Sequence, residues 1–82
     1  SGEISQSLIF VRTKLMCSRL ARELQRTGIE AEAIHGDKSQ ADRIKTLDAF
    51  KEGRIKFLVA TDVAARGLDI DDLPCVINYE GS

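Results

Sequence analysis

Four short stretches that are either wholly apolar or alternate apolar with polar are separated by segments of helical periodicity. That alternation restricts the fold more than any other feature of the sequence. Leu8 to Val11 (LeuIlePheVal) is a continuous apolar run too short for a helix, and such a run suits a parallel strand covered on both faces. Thr13 stands where it can cap a helix. Met16, Leu20, Ala21 and Leu24 then recur at helical spacing, leaving Lys14, Arg19, Arg22, Glu23 and Arg26 for the solvent side. Gly28 is the expected stop, which gives a helix of about fourteen residues.

Ile29 to His35 alternates apolar with polar, as a strand nearer the edge of a sheet would. Ser39, with Asp42 three positions on, forms a variant of the capping box; Ile44, Leu47 and Phe50 supply an apolar face, and Gly53 ends this second helix. Phe57 to Ala60 is a third buried strand, Asp62 to Ala65 a short helical turn, and Cys75 to Asn78 a fourth strand. Asp71, Asp72, Leu73 and Pro74 form a solvated turn before it. Strands that alternate with helices imply βαβ units, a parallel sheet and right-handed crossovers. The expected architecture is α/β, a three-layer open parallel sheet with helices on both faces.

The 82 residues allow one domain, spanning 1–82, and a chain of this length buries only about 60–65% of its unfolded surface, so its core is small. Twelve basic against thirteen acidic side chains leave a formal charge of −1. No overall positive field exists to draw in a polyanion, and any such binding must come from local geometry. No stretch approaches the roughly 18 consecutive apolar residues of a membrane span, and Ser1 to Ser7 lacks the basic and apolar regions of a secretory signal. No membrane association is expected, and the expected location is cytoplasmic. Cys17 and Cys75 lie inside apolar patterns with no second Cys or His close by in sequence, so they read as reduced core thiols and no metal site is expected.

In an open parallel sheet, ligands bind beyond the carboxyl ends of the strands. The first strand ends at Arg12-Thr13-Lys14, the second at His35 to Ser39, the third at Thr61-Asp62 through Asp69, and the fourth at Tyr79-Glu80. That edge gathers Arg12, Lys14, Lys38, Arg43 and Arg66 as cations, Thr13, Ser39 and Thr61 as hydroxyls, and the backbone amides of helix starts. Such a set favours phosphate. At about 1.5–3 kcal/mol for each charge-assisted contact, several together can hold a phosphodiester backbone despite the acidic net charge, without reading bases. Taken singly, each has a plainer explanation: a loop Arg or Lys is a solvated charge, and Ser39 is a helix cap. The spacing of the whole set carries the phosphate reading.

These residues resemble a known family. Leu8 to Lys14 looks like motif IV of the DEAD-box RNA helicases, and Ile34 to Arg43 like the HisGly segment followed by QxxR. Val59 to Ile70 (ValAlaThrAspValAlaAlaArgGlyLeuAspIle) resembles motif V over its whole length, and Val76 to Tyr79 is a fourth matching block in order. The resemblance covers nearly the whole chain. It implies a C-terminal RecA-like domain of the P-loop NTPase helicase type, which closes with an N-terminal RecA-like domain over ATP and Mg²⁺ while both grip single-stranded or duplex RNA by its backbone. By resemblance, Arg12, Thr13, Gly36 and Thr61 face RNA, and Gln40 and Arg43 share a helix face where Arg43 contacts phosphate or braces the motif V loop. Gly67 and Asp69 then lie at the ATP cleft, with Asp69 on the ribose. Arg66 either pairs with Asp62 or another acid as scaffold or meets a ligand; His35, with no Cys or Ser paired to it in sequence, is expected to shape its loop and not to act as an acid or base.

There is no glycine-rich loop ending in GlyLysThr or GlyLysSer, no AspGluAlaAsp box, and no arginine-rich motif VI before Ser82. The chain therefore reads as a truncated domain with no catalytic residues of its own, expected to bind no cofactor tightly and not to hydrolyse ATP alone. Ser1-Gly2 and Gly81-Ser82 depart from the family pattern and read as expression scars. A phosphorylatable receiver domain would need an acidic group after the first strand, where Arg12 stands, and a dinucleotide-binding domain would need GlyxGlyxxGly there. The alternative from another class is a non-catalytic α/β module that binds RNA or protein through the same edge.

Overall fold

A computed structural model describes residues 6–66 and 76–78. Its elements are β1 (Ser7–Val11), α1 (Lys14–Arg26), β2 (Ala31–Ile34), α2 (Gln40–Lys51), β3 (Phe57–Thr61), α3 (Asp62–Ala65) and β4 (Val76–Asn78). The strands form one sheet in the order β2-β3-β1-β4, and every pairing is parallel. The edge position expected of the alternating strand is the one β2 occupies. The central positions go to β3 and β1, the strands with unbroken apolar runs.

Strand alternation sorts the core into two layers. Leu8 and Phe10 of β1, Ile34 of β2 and Leu58 and Ala60 of β3 meet Leu47 and Phe50 of α2, Ala64 and Ala65 of α3, and Ile55. Ile9 and Val11, Ala33, and Phe57 and Val59 meet Met16, Cys17, Leu20, Ala21 and Leu24 of α1 on the other face. Helices thus cover both faces, as the three-layer expectation required. The α2 face is narrower than its periodicity suggests: Leu47 and Phe50 are buried, whereas Ile44 is 45% exposed. Ile44 lies in the first half of α2, and the buried residues of that helix all lie in its second half.

Both long helices end as their sequences dictate. After α1, Gly28 takes φ 89°, its N–H donates to Gln25 O and that of Ile29 to Leu24 O. This closing pattern needs a left-handed residue that glycine adopts without strain. Gly53, at φ 85°, repeats it after α2, with Gly53 N–H to Phe50 O and Arg54 N–H to Ala49 O. Just before β1, Gln6 donates its side-chain amide to the carbonyls of Phe50 and Ile55, tying the incoming chain to the end of α2.

Cys17 is fully buried, and its Sγ faces Val59 O at 3.1 Å and Ile34 O at 3.5 Å. Burial pushes the thiol from 9.0 up to about 11, against smaller lowering effects of the Ile34 backbone and the Lys38 charge. The folded thiol therefore holds its proton where the unfolded one loses it. Its contribution to stability is complete below pH 9 and is lost as pH rises through about 11. The stability difference between wild type and Cys17→Ala is expected to stay constant below pH 9 and to shrink above it, as read by denaturant titrations across that range. In the native state, Cys17 is expected to resist alkylation near neutral pH, checked by peptide mapping. Cys75 lies outside the described residues.

Candidate functional site

The strand register brings the loops to one level. Val11 stands opposite Thr61 and Ile34 opposite Ala60, while Phe10 faces Asn78. The β1–α1 connection, the 35–39 loop and the start of α3 consequently gather along one edge, where the axial fields of α1 and α2 present N–H groups to an anion.

Three hydroxyls mark the three helix starts. Thr13 Oγ1 accepts from Met16 N–H at 3.1 Å, Ser39 Oγ from Asp42 N–H at 3.1 Å, and Thr61 Oγ1 from Ala64 N–H at 3.3 Å. Each cap uses the oxygen as an acceptor and leaves the O–H free to donate. Thr13 and Ser39 are exposed, so that donor is available to a ligand. Thr61, only 7% exposed, forms the floor of the edge beneath them.

Arg12 is exposed and its guanidinium has no partner among the described residues. Gly36 is exposed too, lies outside the left-handed region, and would meet nothing within 4 Å if it carried a Cβ. Gln40 is exposed at the start of α2, three residues before Arg43. Arg43 is half-buried and its Nε, among the described residues, is a buried side-chain donor without an acceptor, an arrangement that is normally satisfied by a partner. These four positions, with Thr13 and Thr61, occupy the same end of the sheet. Arg66 is exposed, donates its backbone N–H to Asp62 O and Val63 O, and makes no ion pair with Asp62 among the described residues. Gly67, Asp69, Asp71, Asp72, Leu73, Pro74, Tyr79 and Glu80 lie outside the described residues.

His35 departs from its expectation in one respect: a serine does pair with it. Ser18 Oγ lies 3.1 Å from Nε2, while Nδ1 accepts from Asp37 N–H at 3.3 Å. Because Nδ1 is an acceptor, the neutral ring carries its proton on Nε2 and donates it to Ser18, the reverse of what a base activating a serine needs. Helical periodicity assigned Ser18 no role, since the contact spans 17 residues and depends on how α1 lies on β2. The ring fastens the 35–39 loop to α1. Lys38 N–H donates to His35 O at 3.0 Å, and Lys14 Nζ reaches Asp37 Oδ1 at 3.2 Å. The Lys14–Asp37 pair is more than half exposed on both sides, so it adds alignment more than stability. Loop shaping is the use the geometry supports.

Among the described residues, no group of three or more His, Cys, Asp or Glu could hold a metal ion, and no helix is long and apolar enough to cross a membrane.

An all-parallel sheet with helices on both faces, with capping hydroxyls and a glycine along its carboxyl edge, defines an open three-layer α/β domain, and its RecA-like helicase C-terminal type is shown by its relatives. The model of the helicase conserved C-terminal domain matches residues 1–82. The chain belongs to that family, in its DEAD-box branch. It is 53% identical over 76 residues to DEAD-box ATP-dependent RNA helicase 30 of Arabidopsis thaliana, covering 93% of this chain and 13% of that protein. To DEAD-box ATP-dependent RNA helicase 40 of Oryza sativa subsp. japonica it is 60% identical, covering 93% of this chain and 10% of that protein. The chain therefore spans about a tenth of the length of these relatives. Among solved structures, it matches the E. coli DEAD-box protein SrmB, solved bound to regulator of ribonuclease activity A, with a TM-score of 0.85 and 38% identity over 100% of this chain and 48% of that one. The C-terminal domain of the DEAD-box protein Dbp5 gives 0.85 and 40%, over 98% and 44%.

Proposed function

We propose that this domain serves as one half of an ATP-dependent RNA helicase, gripping the sugar-phosphate backbone of single-stranded or duplex RNA along its carboxyl edge. Arg12 and Arg43 supply charge, and Thr13 and Gln40 supply donors. The Gly36 amide approaches a phosphate closely, and Thr61 sets the floor of the same edge. Gly67 and Asp69 line one side of an ATP cleft completed by an N-terminal RecA-like domain, which brings the phosphate-binding loop and Mg²⁺; that part rests on the sequence resemblance. The chain alone binds ATP weakly and does not hydrolyse it, and the whole protein works in the cytoplasm.

Gly36 carries the RNA reading. Its backbone conformation is open to any residue and a Cβ there meets only solvent, so nothing within the described fold calls for glycine; a backbone pressed against the loop would. Gly36→Ala in the full-length protein is expected to leave the melting temperature unchanged and to weaken RNA binding about tenfold, the value of one displaced contact. Fluorescence anisotropy with a nonhydrolysable ATP analogue reads the change. Unaltered RNA affinity would remove the 35–39 loop from the interface.

A further inference from the structure

The charges of the chain are unevenly placed. Lys14, Arg19, Arg22 and Arg26 against Glu23 alone give α1 a charge of +3, so the remainder of the chain, at −1 in total, carries −4. At 100° per residue, Leu15, Arg19, Arg22 and Arg26 fall within about 60° of the helix circumference. All four are exposed, opposite the Cys17 and Ala21 face that meets the sheet.

Like charges three and four apart on a helix repel, and little in the described chain offsets this. Arg26 has reasons of its own: it lies in the last turn, where a cation suits the helix field, and it reaches Glu23 at 3.7 Å. Arg19 and Arg22 have no partner among the described residues. A locally unfavourable charge row without an internal return points to an external one.

The stripe begins at the candidate RNA edge. Thr13 caps α1 there, and the helix runs back toward the opposite end of the sheet, so Leu15 to Arg26 covers about 16 Å of the domain's flank. We infer that the α1 stripe is a second, sequence-independent RNA contact, which takes the strand where it leaves the carboxyl edge. This rests on the edge being an RNA site. Guanidinium groups suit phosphate oxygens through their paired N–H geometry, and three of them extend the grip by three phosphates. Leu15, 66% exposed at the edge end of the row, offers an apolar surface to a ribose or an unstacked base.

The test compares short and long RNA in the full-length protein. Wild type and the triple variant Arg19→Gln/Arg22→Gln/Arg26→Gln are titrated with single strands of about six and about twenty nucleotides, lengths chosen within and beyond a usual single-strand site, over a salt series. For the short strand the two proteins are expected to agree within twofold. For the long strand the variant is expected to lose about tenfold at low salt, and its salt slope to fall by about 2, corresponding to three released contacts. Arg19→Lys/Arg22→Lys/Arg26→Lys, which keeps the charge, should retain the slope, and serves as the comparison if the glutamine variant folds poorly. An unchanged long-strand affinity and slope overturns the stripe proposal while leaving the edge reading intact. Failure of the wild type to bind the short strand overturns the edge reading itself. If the glutamine variant keeps long-strand binding but loses binding to a poly-glutamate peptide that wild type retains, the surface belongs to an acidic protein and the RNA proposal falls.

Discussion

Replacing Phe50 with alanine is expected to remove about 3–5 kcal/mol of folding stability, the usual loss for a buried aromatic. Phe50 is 0% exposed and sits at the centre of the layer formed by Leu8, Ile34, Leu47, Ile55 and Leu58. Side chains from β1, β2, β3 and the segment leading into β3 share this layer, and the Phe50 carbonyl accepts from both the Gly53 N–H and the Gln6 side-chain amide. Relaxation into the void is therefore limited. A domain of this size has only about 4–12 kcal/mol in all, at roughly 0.05–0.15 kcal/mol per residue, so the variant should be partly unfolded at 37 °C. Its melting temperature should drop by roughly 15–30 °C. A calorimetric or circular-dichroism melt showing a shift below about 5 °C would mean that the ring is not the keystone of this layer.

The second large effect is expected at His35. His35→Ala removes the ring that joins α1 to the 35–39 loop, leaving the Asp37 N–H and the Ser18 hydroxyl without it, at a loss of about 1–3 kcal/mol. The functional consequence should be larger than that number suggests. Gly36 follows His35 directly and Ser39 starts α2, so a loosened loop moves the phosphate-facing amide and the α2 N-terminus together. RNA affinity of the full-length protein should fall by about tenfold or more. Ser18→Ala should destabilise by about 1 kcal/mol, and the double variant should be no worse than His35→Ala alone, since the two share one bond. Additive losses in that cycle would show that the two side chains act independently.

Much of this could be read in the residues because local chemistry decided it. Thr13 and Ser39 cap where their positions before apolar periodic segments required, Gly28 and Gly53 stop the helices, and Asp62–Ala65 forms the expected turn. Strand order is legible only in part: the alternation of Ile29 to His35 marks β2 as an edge strand, but not which strand lies beside it. Which strand lies between which depends on how each crossover returns, and nothing in Phe57 to Thr61 says that it sits between β2 and β1. Ile44 is more exposed than its spacing implies for a related reason: periodicity gives a helix an apolar stripe, but how far the stripe is covered depends on where the sheet lies beneath it. Ser18 carries no signal in the sequence because its partner is fixed by packing and not by spacing. The rule for parallel sheets places Arg12, Thr13, His35 to Ser39 and Thr61 at the edge where the described chain has them, while the distinction between exposed Thr13 and buried Thr61 required the folded chain.

The central strand pair has a bearing on how the domain is made. Ser7 pairs with Phe57, 50 residues further along, so β1 is synthesised long before the strand that covers one of its sides. At about 5–20 residues per second, the Leu8–Val11 run spends roughly 2–10 s outside the ribosome without its neighbour. In that interval α1, and then α2, can shelter its two faces, but the edge that β3 will occupy stays open to other chains. Emergence of Phe57 to Thr61 is thus the event that commits the chain, and mutations that slow or weaken that strand will be felt first as aggregation during translation.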